Sequence, residues 1–500
     1  MLTINEIYQT LVSGNTIYND NYERWKFLLE SYLGGDMYRA GEHLTRYQLE
    51  TEDQYRARLA ATPLDNHCRS VINVYNSFLF REGPEREFGS LVTDPTVEMF
   101  LEDADLEGRS LDAVMKEVST WTSVFGHTWL LLSKPNVNAV TRADELMAGV
   151  RPYISILTPM TVLDWTYQRS ANGSYTLRYF KYVEDINDQI QAIVEWTPDA
   201  ITTSITDKKR QELREQTTVP NGLGRIPVVI CYNQRSTVRG IGISDIDDIA
   251  DQQRAIYNEL SEIEQSVRLD SHPSLVTTEG TKIGTGAGAI LYMDPTMDPG
   301  LKPYLLENSG ADVGSIYNSI KNRIESIDKM ANTGAVRAVE SRTLSGVAME
   351  TEFQLLDARL SEKADNLELA EEQLWRLYAE YQGYIWDGAI EYPDGFKIKN
   401  KASELQALNL ARSAATDPRV LAWIDHEILE ELDGAADMIL PEIYAPEDIP
   451  AEKPFEPHYM IDLASGTKYI ARTPEEHMAY AELGYVHEDE IPGDYDLGDY

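Results

Sequence analysis

The sequence lacks nearly every mark of a secreted, membrane-spanning or metal-binding chain. Only two of its 500 residues are cysteine, Cys68 and Cys231. That is too few for a disulfide framework or a cysteine metal site, and a reducing cytoplasm fits. No run approaches the roughly eighteen apolar residues of a membrane helix; HTWLLL is among the longest. The opening MLTINEIYQT is too polar for a signal peptide. Eight histidines show no HExxH or other ligand spacing. Basic residues are scarce too: 44 Lys and Arg face 83 Asp and Glu, a formal net charge of −39, with a pI of about 4.5. A chain that grips duplex DNA through phosphates carries basic patches and a high pI, which this one does not. Solubility alone would explain such a charge.

What the chain does have is a globular hydrophobic share, 42%, and length for two or three domains. It also has one strongly patterned stretch, Gly240 to about Tyr384. A first helix is expected from Ser244, a good N-cap, with Asp245, Asp247 and Asp248 in its first turn, where the helix dipole favours negative charge. Its stripe is Ile246, Ile249, Ile256, Leu260, Ile263 and Val267, with a double step past Gln253. His272-Pro273 stops it. Three short apolar runs between Gly and Pro clusters then suggest a small sheet. A second helix carries Val313, Ile316, Ile320, Ile324 and Ile327 on one face. After a poorly periodic segment, a third helix starts near Ser345 and runs through Phe353, Leu356, Leu360, Leu367, Leu374, Leu377, Tyr381 and Tyr384. At 1.5 Å per residue it would be roughly 60 Å long, and no heptad or internal repeat extends beyond the region to explain it.

The order helix, β insert, helix, loop, long helix, in the middle of a chain of about 500 residues, resembles the portal proteins of tailed bacteriophages. Leu344-Ser345-Gly346-Val347-Ala348-Met349 is similar to a small-residue motif at the same place in that family. Its physical sense is an N-cap followed by small side chains that permit close approach. The resemblance covers most of the chain and weakens after about residue 390. It implies an α+β fold. The wing would be residues 1–240, the first stem helix 241–271, the clip 272–308 and the second stem helix 309–330. A channel loop at 331–345, a linking helix at 346–385 and a helical crown with an acidic tail at 386–500 would complete it.

The flanking segments fit such a body. Two helices are expected in residues 1–35, the second from Asp20 to Gly34-Gly35, and a helical region over Tyr55–Phe80, interrupted near Pro63, buries Cys68, Val71, Ile72, Tyr75 and Leu79. Asn66, Arg69, Asn73 and Asn76 along it are similar to portal N-terminal regions; a polar helix face explains them equally. Leu111–Val124 is helical, and strands follow to Tyr232, with a turn at Ala171-Asn172-Gly173-Ser174. Asp207–Glu215 is expected as a charged excursion between strands. Two short helices, Ala402–Ala415 and Arg419–Leu432, offer Leu405, Leu408, Val420, Trp423 and Ile424 for packing. The last fifteen residues hold six acids and no Lys or Arg, which suggests a loosely packed tail.

The resemblance also implies a function. A homo-oligomeric ring, usually of twelve subunits, would sit at the capsid vertex of the virion, assembled in the host cytoplasm. Double-stranded DNA would be packaged and ejected through it. Terminase and a head-tail adaptor would dock on the clip, with capsid and scaffolding proteins as further partners, no membrane, no cofactor and no catalysis. An acidic wall would then repel phosphate and let DNA slide, within a Debye length of about 8 Å. Lys321, Arg323 and Lys329 on the second stem helix are candidates to face the channel as belts of positive charge; pairing with acids of the neighbouring stem helix is the alternative. The loop offers Val336, Val339, Arg337 and Arg342 to DNA, with Gly334 as a hinge; bracing by Arg337 and Arg342 against acids of the adjacent long helix is the alternative.

A magnesium-dependent enzyme is the competing class. Asp247-Asp248-Ile249-Ala250-Asp251 spells DDxxD, whose carboxylates suit hard cations and diphosphate. That reading needs an all-α fold and a second metal motif, and neither is evident. Gly284–Gly288 lacks the GK[ST] of a phosphate loop. Cys68, on an apolar stripe, reads as packing rather than as a nucleophile.

Overall fold

A computed structural model describes residues 4–135, 142–271, 274–276, 298, 304–306, 311–337, 346–396, 401–431, 458–462, 467–483 and 485–487. They fall in two compact units, Met1–Lys397 and Ile398–Tyr500.

Five helices open the first unit: α1 (Ile4–Val12), α2 (Thr16–Leu33), α3 (Gly35–Ala40), α4 (Glu52–Ala61) and α5 (His67–Leu79). Helix α2 starts four residues before Asp20 because Asn15 caps it, accepting from the Tyr18 N–H at 2.8 Å. Gly34 ends it at φ 63°, a conformation that suits glycine. Pro63 lies between α4 and α5, and the expected stripe of α5 is buried throughout.

Strand β1 (Glu85–Glu87), helices α6 (Thr96–Glu102) and α7 (Leu111–Phe125) and strand β2 (His127–Ser133) follow, then α8 (Arg142–Met147) and β3 (Tyr153–Leu157). Strands β4 (Val162–Arg169), β5 (Tyr175–Asp185), β6 (Ile190–Trp196), β7 (Ala200–Asp207) and β8 (Glu212–Pro220) form an antiparallel meander in that order. Strand β9 (Val228–Tyr232) returns to the other side of β2, giving a second sheet β3-β2-β9. The Asn172 turn forms as expected: Asn172 accepts from the Ser174 N–H, and Ser170 N–H donates to Ser174 O at 2.7 Å. The charged stretch Asp207–Glu215 is not a free excursion. Its second half opens β8, paired with β7 from Glu212↔Asp207 to Pro220↔Ala200. An edge strand with a wet outer face tolerates Lys, Arg and Glu, so charge did not exclude it.

The three-stranded sheet lies in the middle of the core. Leu130, Leu131 and Leu132 are buried, α7 packs on β2, and the long helix packs on β9 and β2. One glycine pair fixes this layer. Gly126 caps α7 at φ 86°, and its carbonyl oxygen would lie 1.8 Å from a Cβ placed on Gly242. Any side chain at Gly242 would displace the chain that leads into the stem.

The two helices expected as the stem are α9 (Asp247–Ser271) and α10 (Ala311–Met330), and they pack on each other. Between them, β10 (Ser274–Val276) pairs antiparallel with β11 (Tyr304–Leu306). The rest of the expected clip, 272–308, lies outside the described residues apart from residue 298, as does Gly284–Gly288. A single turn, α11 (Gly334–Arg337), and the long α12 (Gly346–Gln382) follow. By rise per residue, α9, α10 and α12 span about 37, 30 and 55 Å. From Leu356 to Leu377 the predicted stripe of α12 is buried in the core of the first unit, which is what supports so long a helix.

Residues 386–396, expected in the crown, belong to the first unit. Strand β12 (Ala389–Glu391) pairs with β1, and the hydroxyl of Tyr392 donates to Glu371 at 2.6 Å. Glu371 on α12 is fully buried and is satisfied by Arg86, Trp375 and Tyr392 together. In the second unit, helices α13 (Lys401–Ala414) and α14 (Pro418–Glu431) match the expected pair. Ile424 is buried, but Val420 and Trp423 are exposed instead of packed. Strands β13 (His458–Ile461) and β14 (Lys468–Ala471), helix α15 (Pro474–Glu482) and β15 (Val486–His487) add a small sheet that the helical expectation did not include. The tail 488–500 lies outside the described residues.

Candidate functional site

The candidates among the described residues lie on or beside α9 and α10. Ile256 and Ile263 of α9 and Ile320 and Ile327 of α10 are buried. At the root of α9 the polar chemistry differs from a simple dipole arrangement. Helix α9 begins at Asp247, with Asp247 and Asp248 in its first turn. Asp245 stands ahead of it, buried, ion-paired at 2.6 Å to both Arg359 and Lys363 of α12. Lys363 also donates to the Ser123 hydroxyl at 2.9 Å, and Asn233 donates to Asp245 at 3.0 Å. Burial pushes the Asp245 carboxyl up, but the Lys363 and Arg359 charges more than reverse this and hold it at about 2. Burial pulls Lys363 down against the Asp245 charge. Ser244 accepts from the Ile246 N–H and donates to the Ser123 and Val124 carbonyls at the end of α7. The stem is therefore fastened at its root to α7 and α12.

The gap in the α9 stripe has a physical reason. Gln253 is fully buried; it accepts from the Cys68 N–H at 2.9 Å and donates to Ser31 O at 3.0 Å. Those groups belong to the first turn of α5 and the last turn of α2, where helices leave donors and acceptors unpaired. One amide thus caps two helices.

The DDxxD aspartates do not frame a cation. Arg24 bonds Asp247 at 2.7 Å and Asp251 at 2.9 Å, Arg254 also bonds Asp251, and Asp248 points to solvent. The guanidinium stands where a metal would have to sit. Among the described residues, no group of three or more His, Cys, Asp and Glu could hold a metal ion. Cys68 is buried and burial pushes its thiol well up, the reverse of an activated nucleophile. Among the described residues no helix is long and apolar enough to cross a membrane.

Of the stem cations, Arg323 turns to the partner helix, bonding Glu259 at 2.9 Å and Gln252 at 3.0 Å. Lys321 and Lys329 are exposed. The segment after α10 is partly helical rather than an open loop from its first residue. Asn332 takes φ 54°, which asparagine tolerates. Tyr75 then donates to Ala331 O at 2.6 Å. Arg337, only 11% exposed, bonds Asp328 of α10 at 2.7 Å, the Ser70 hydroxyl at 3.1 Å and His67 Nδ1 at 2.9 Å. His67 lies 3.2 Å from Asp65 through Nε2 and helps hold that carboxyl below the usual range. Arg337 is thus held by an acid on α10 rather than on α12. Val336 is exposed over an open depression with Asn66, Arg69, Asn73 and Ser77. A Cβ on Gly334 would meet Glu352 at 3.0 Å, so the glycine marks close approach to α12. Val339 and Arg342 lie outside the described residues. Sequence reasoning missed Asp328 and Lys363, took Asp245 for a first-turn acid and noted Gln253 without its partners. Only Gln253 left a signal, the double step in the stripe.

A helix pair rooted in a mixed α/β body, with charged residues fastening helices together, is the arrangement these contacts build. The chain belongs to the phage portal protein family of the SPP1 Gp6-like type, whose profile matches residues 15–410. No curated protein matches it in sequence. Similar solved structures include the neck of an empty GTA particle computed with C6 symmetry, at TM-score 0.45 and 10% identity, covering 79% of this chain and 99% of that one. Two others are a native gene transfer agent virion (TM-score 0.42, 9% identity, 78% and 98%) and a native GTA neck computed with C12 symmetry (0.42, 11%, 79% and 98%).

Proposed function

We propose that copies of this chain close into a ring at a capsid vertex, through which double-stranded DNA passes during packaging and ejection, with the stem lining the passage. Membership of the portal family over residues 15–410 carries the reading. The stem supports it: Val267, Tyr317 and Met330 remain exposed on α9 and α10 after those helices have covered each other, apolar surface that neighbouring copies would bury. The charge supports it as well, since a chain with 83 acids against 44 bases offers phosphate little net attraction. Terminase and a tail adaptor would dock on the clip, residues 272–308. In the channel segment, Val336, Val339 and Arg342 would meet DNA while Arg337 braces the turn. Negative-stain imaging of the purified protein tests this: rings with a central channel are expected, and a field of small single particles would refute it. A magnesium-dependent enzyme is not favoured, because Arg24 engages Asp247 and Asp251.

A further inference from the structure

In a chain so rich in acids, one cleft of about 630 Å³ has no acidic residue in its wall. It opens between the start of β5, the strand β9 and the loop that leads into the stem. Three arginines, Arg225, Arg235 and Arg239, line it over an apolar floor that includes Ile226 and Val228. Arg225 reaches Glu380 at 3.4 Å. Arg235 and Arg239 have no carboxylate partner among the described residues; they lie on tyrosine rings, Arg239 at 3.8 Å from the centre of Tyr175 and Arg235 at 5.1 Å from that of Tyr232. Both side chains are exposed, so their forked N–H donors remain open to a carboxylate. The loop is fixed too. Ser236 N–H bonds Ile241 O, Gly240 N–H bonds the Tyr232 hydroxyl, and a Cβ on Gly240 would strike Trp165 at 2.2 Å.

At the far end of the same strand β5, roughly 33 Å away by rise per residue, the β5–β6 hairpin has the opposite character. Glu184, Asp185 and Asp188 are exposed around Ile186, itself 54% exposed. Asn187 stiffens the tip by accepting from the Gln189 and Ile190 N–H groups at 2.9 Å. Asp185 pairs with Lys208, whereas Glu184 and Asp188 have no cationic partner among the described residues. A basic cleft with an apolar floor and an acidic knob with an apolar centre stand at opposite ends of one rigid strand.

We infer that these are the two halves of a head-to-tail contact, in which the Glu184–Asp188 knob of one copy enters the Arg235/Arg239 cleft of the next. The inference rests on the ring reading and adds to it a specific joint. A contact between unlike surface patches repeats from copy to copy and closes into a ring when its rotation allows. Copies carrying −39 each repel one another, and placing carboxylate-free arginines against acids offsets that repulsion where the copies touch.

Charge exchange tests the joint. Arg235→Glu with Arg239→Glu, and separately Glu184→Arg with Asp188→Arg, are each expected to raise the protein concentration for half-assembly at least about tenfold, more at low salt than at high. Combining all four changes should restore assembly to within about threefold of the wild type. A second measurement does not depend on those variants: Asp188→Cys with Val238→Cys should give oxidised ladders of linked copies, since Cys68 and Cys231 are buried and do not compete. Rings that form equally well in both reversed variants, or no ladder in assembled rings, would overturn the joint while leaving the ring intact. A wild-type protein that never forms rings would instead refute the ring reading. Binding of a DNA oligonucleotide that is lost with Arg235→Glu and Arg239→Glu, with assembly unchanged, would make the cleft a phosphate site and also overturn the joint.

Discussion

Replacing Asp245 with alanine strikes the point where the stem joins the body. In the wild type one carboxylate, 4% exposed, faces Lys363 (4% exposed) and Arg359 (12% exposed), both at 2.6 Å. Removing it leaves the buried Lys363 without its anion and Arg359 with Glu362 alone, a change that costs about 3–5 kcal/mol for a broken buried pair. Lys363→Met should cost less, because Asp245 keeps Arg359, Asn233 and its place ahead of α9. For a unit of this size, 1 kcal/mol corresponds to roughly 1–2 °C in melting temperature, so Asp245→Ala should melt at least about 3 °C lower. Lys363→Met should fall between it and the wild type. The pH dependence has a definite sign. The folded carboxyl titrates at about 2 against about 3.9 unfolded. The stability it provides, roughly 2.6 kcal/mol, is therefore complete only above about pH 5 and disappears as pH falls through 2. Scanning calorimetry at pH 7 and hydrogen exchange at the α9 N-terminus report the effect globally and locally. If Asp245→Ala melts with the wild type, or if the exposed Asp247→Ala is equally harmful, the buried anchor is not what holds the stem.

Other expectations follow from the same contacts. Gln253→Leu should lose about 2–4 kcal/mol despite adding an apolar side chain to an apolar stripe, because the Cys68 N–H and Ser31 O are left unpaired; denaturant unfolding measures it. Asp247→Asn with Asp248→Asn should change stability by roughly 1 kcal/mol or less, since the Arg24 pair is half-exposed, and rings should assemble with magnesium chelated. A magnesium-dependent activity lost on that change would favour the enzyme. Arg337→Ala should lower the melting temperature by stranding Asp328, which is 12% exposed, whereas Arg342→Ala should leave it unchanged and reduce packaging or retention of DNA by assembled rings. Normal packaging with Arg342→Ala would remove that residue from the channel reading.

The long-range plan of this protein was legible where periodicity was strong. Helix α10 runs over Ala311–Met330, as its five isoleucine and valine positions indicate, and the strands from Tyr153 to Tyr232 follow their apolar runs. Strand β8 escaped because an edge strand needs few apolar residues. Strands β1 and β12 escaped because three-residue strands that pair across some 300 positions leave no local pattern. The polar fastenings were less legible still. Asp245 looks like any acid ahead of a helix, and nothing near it in sequence announces Lys363, 118 positions away. Arg337 suits two roles by residue type, and nothing near it in sequence announces its 2.7 Å contact with Asp328. Periodicity reports which face is buried; it does not report which buried polar groups meet.

The central claim, that this chain is a ring-forming portal subunit, is tested most directly by native mass spectrometry of the purified protein at micromolar concentration. Twelve copies of 56.6 kDa would give one assembly of about 680 kDa, and only monomer or dimer under those conditions would contradict it.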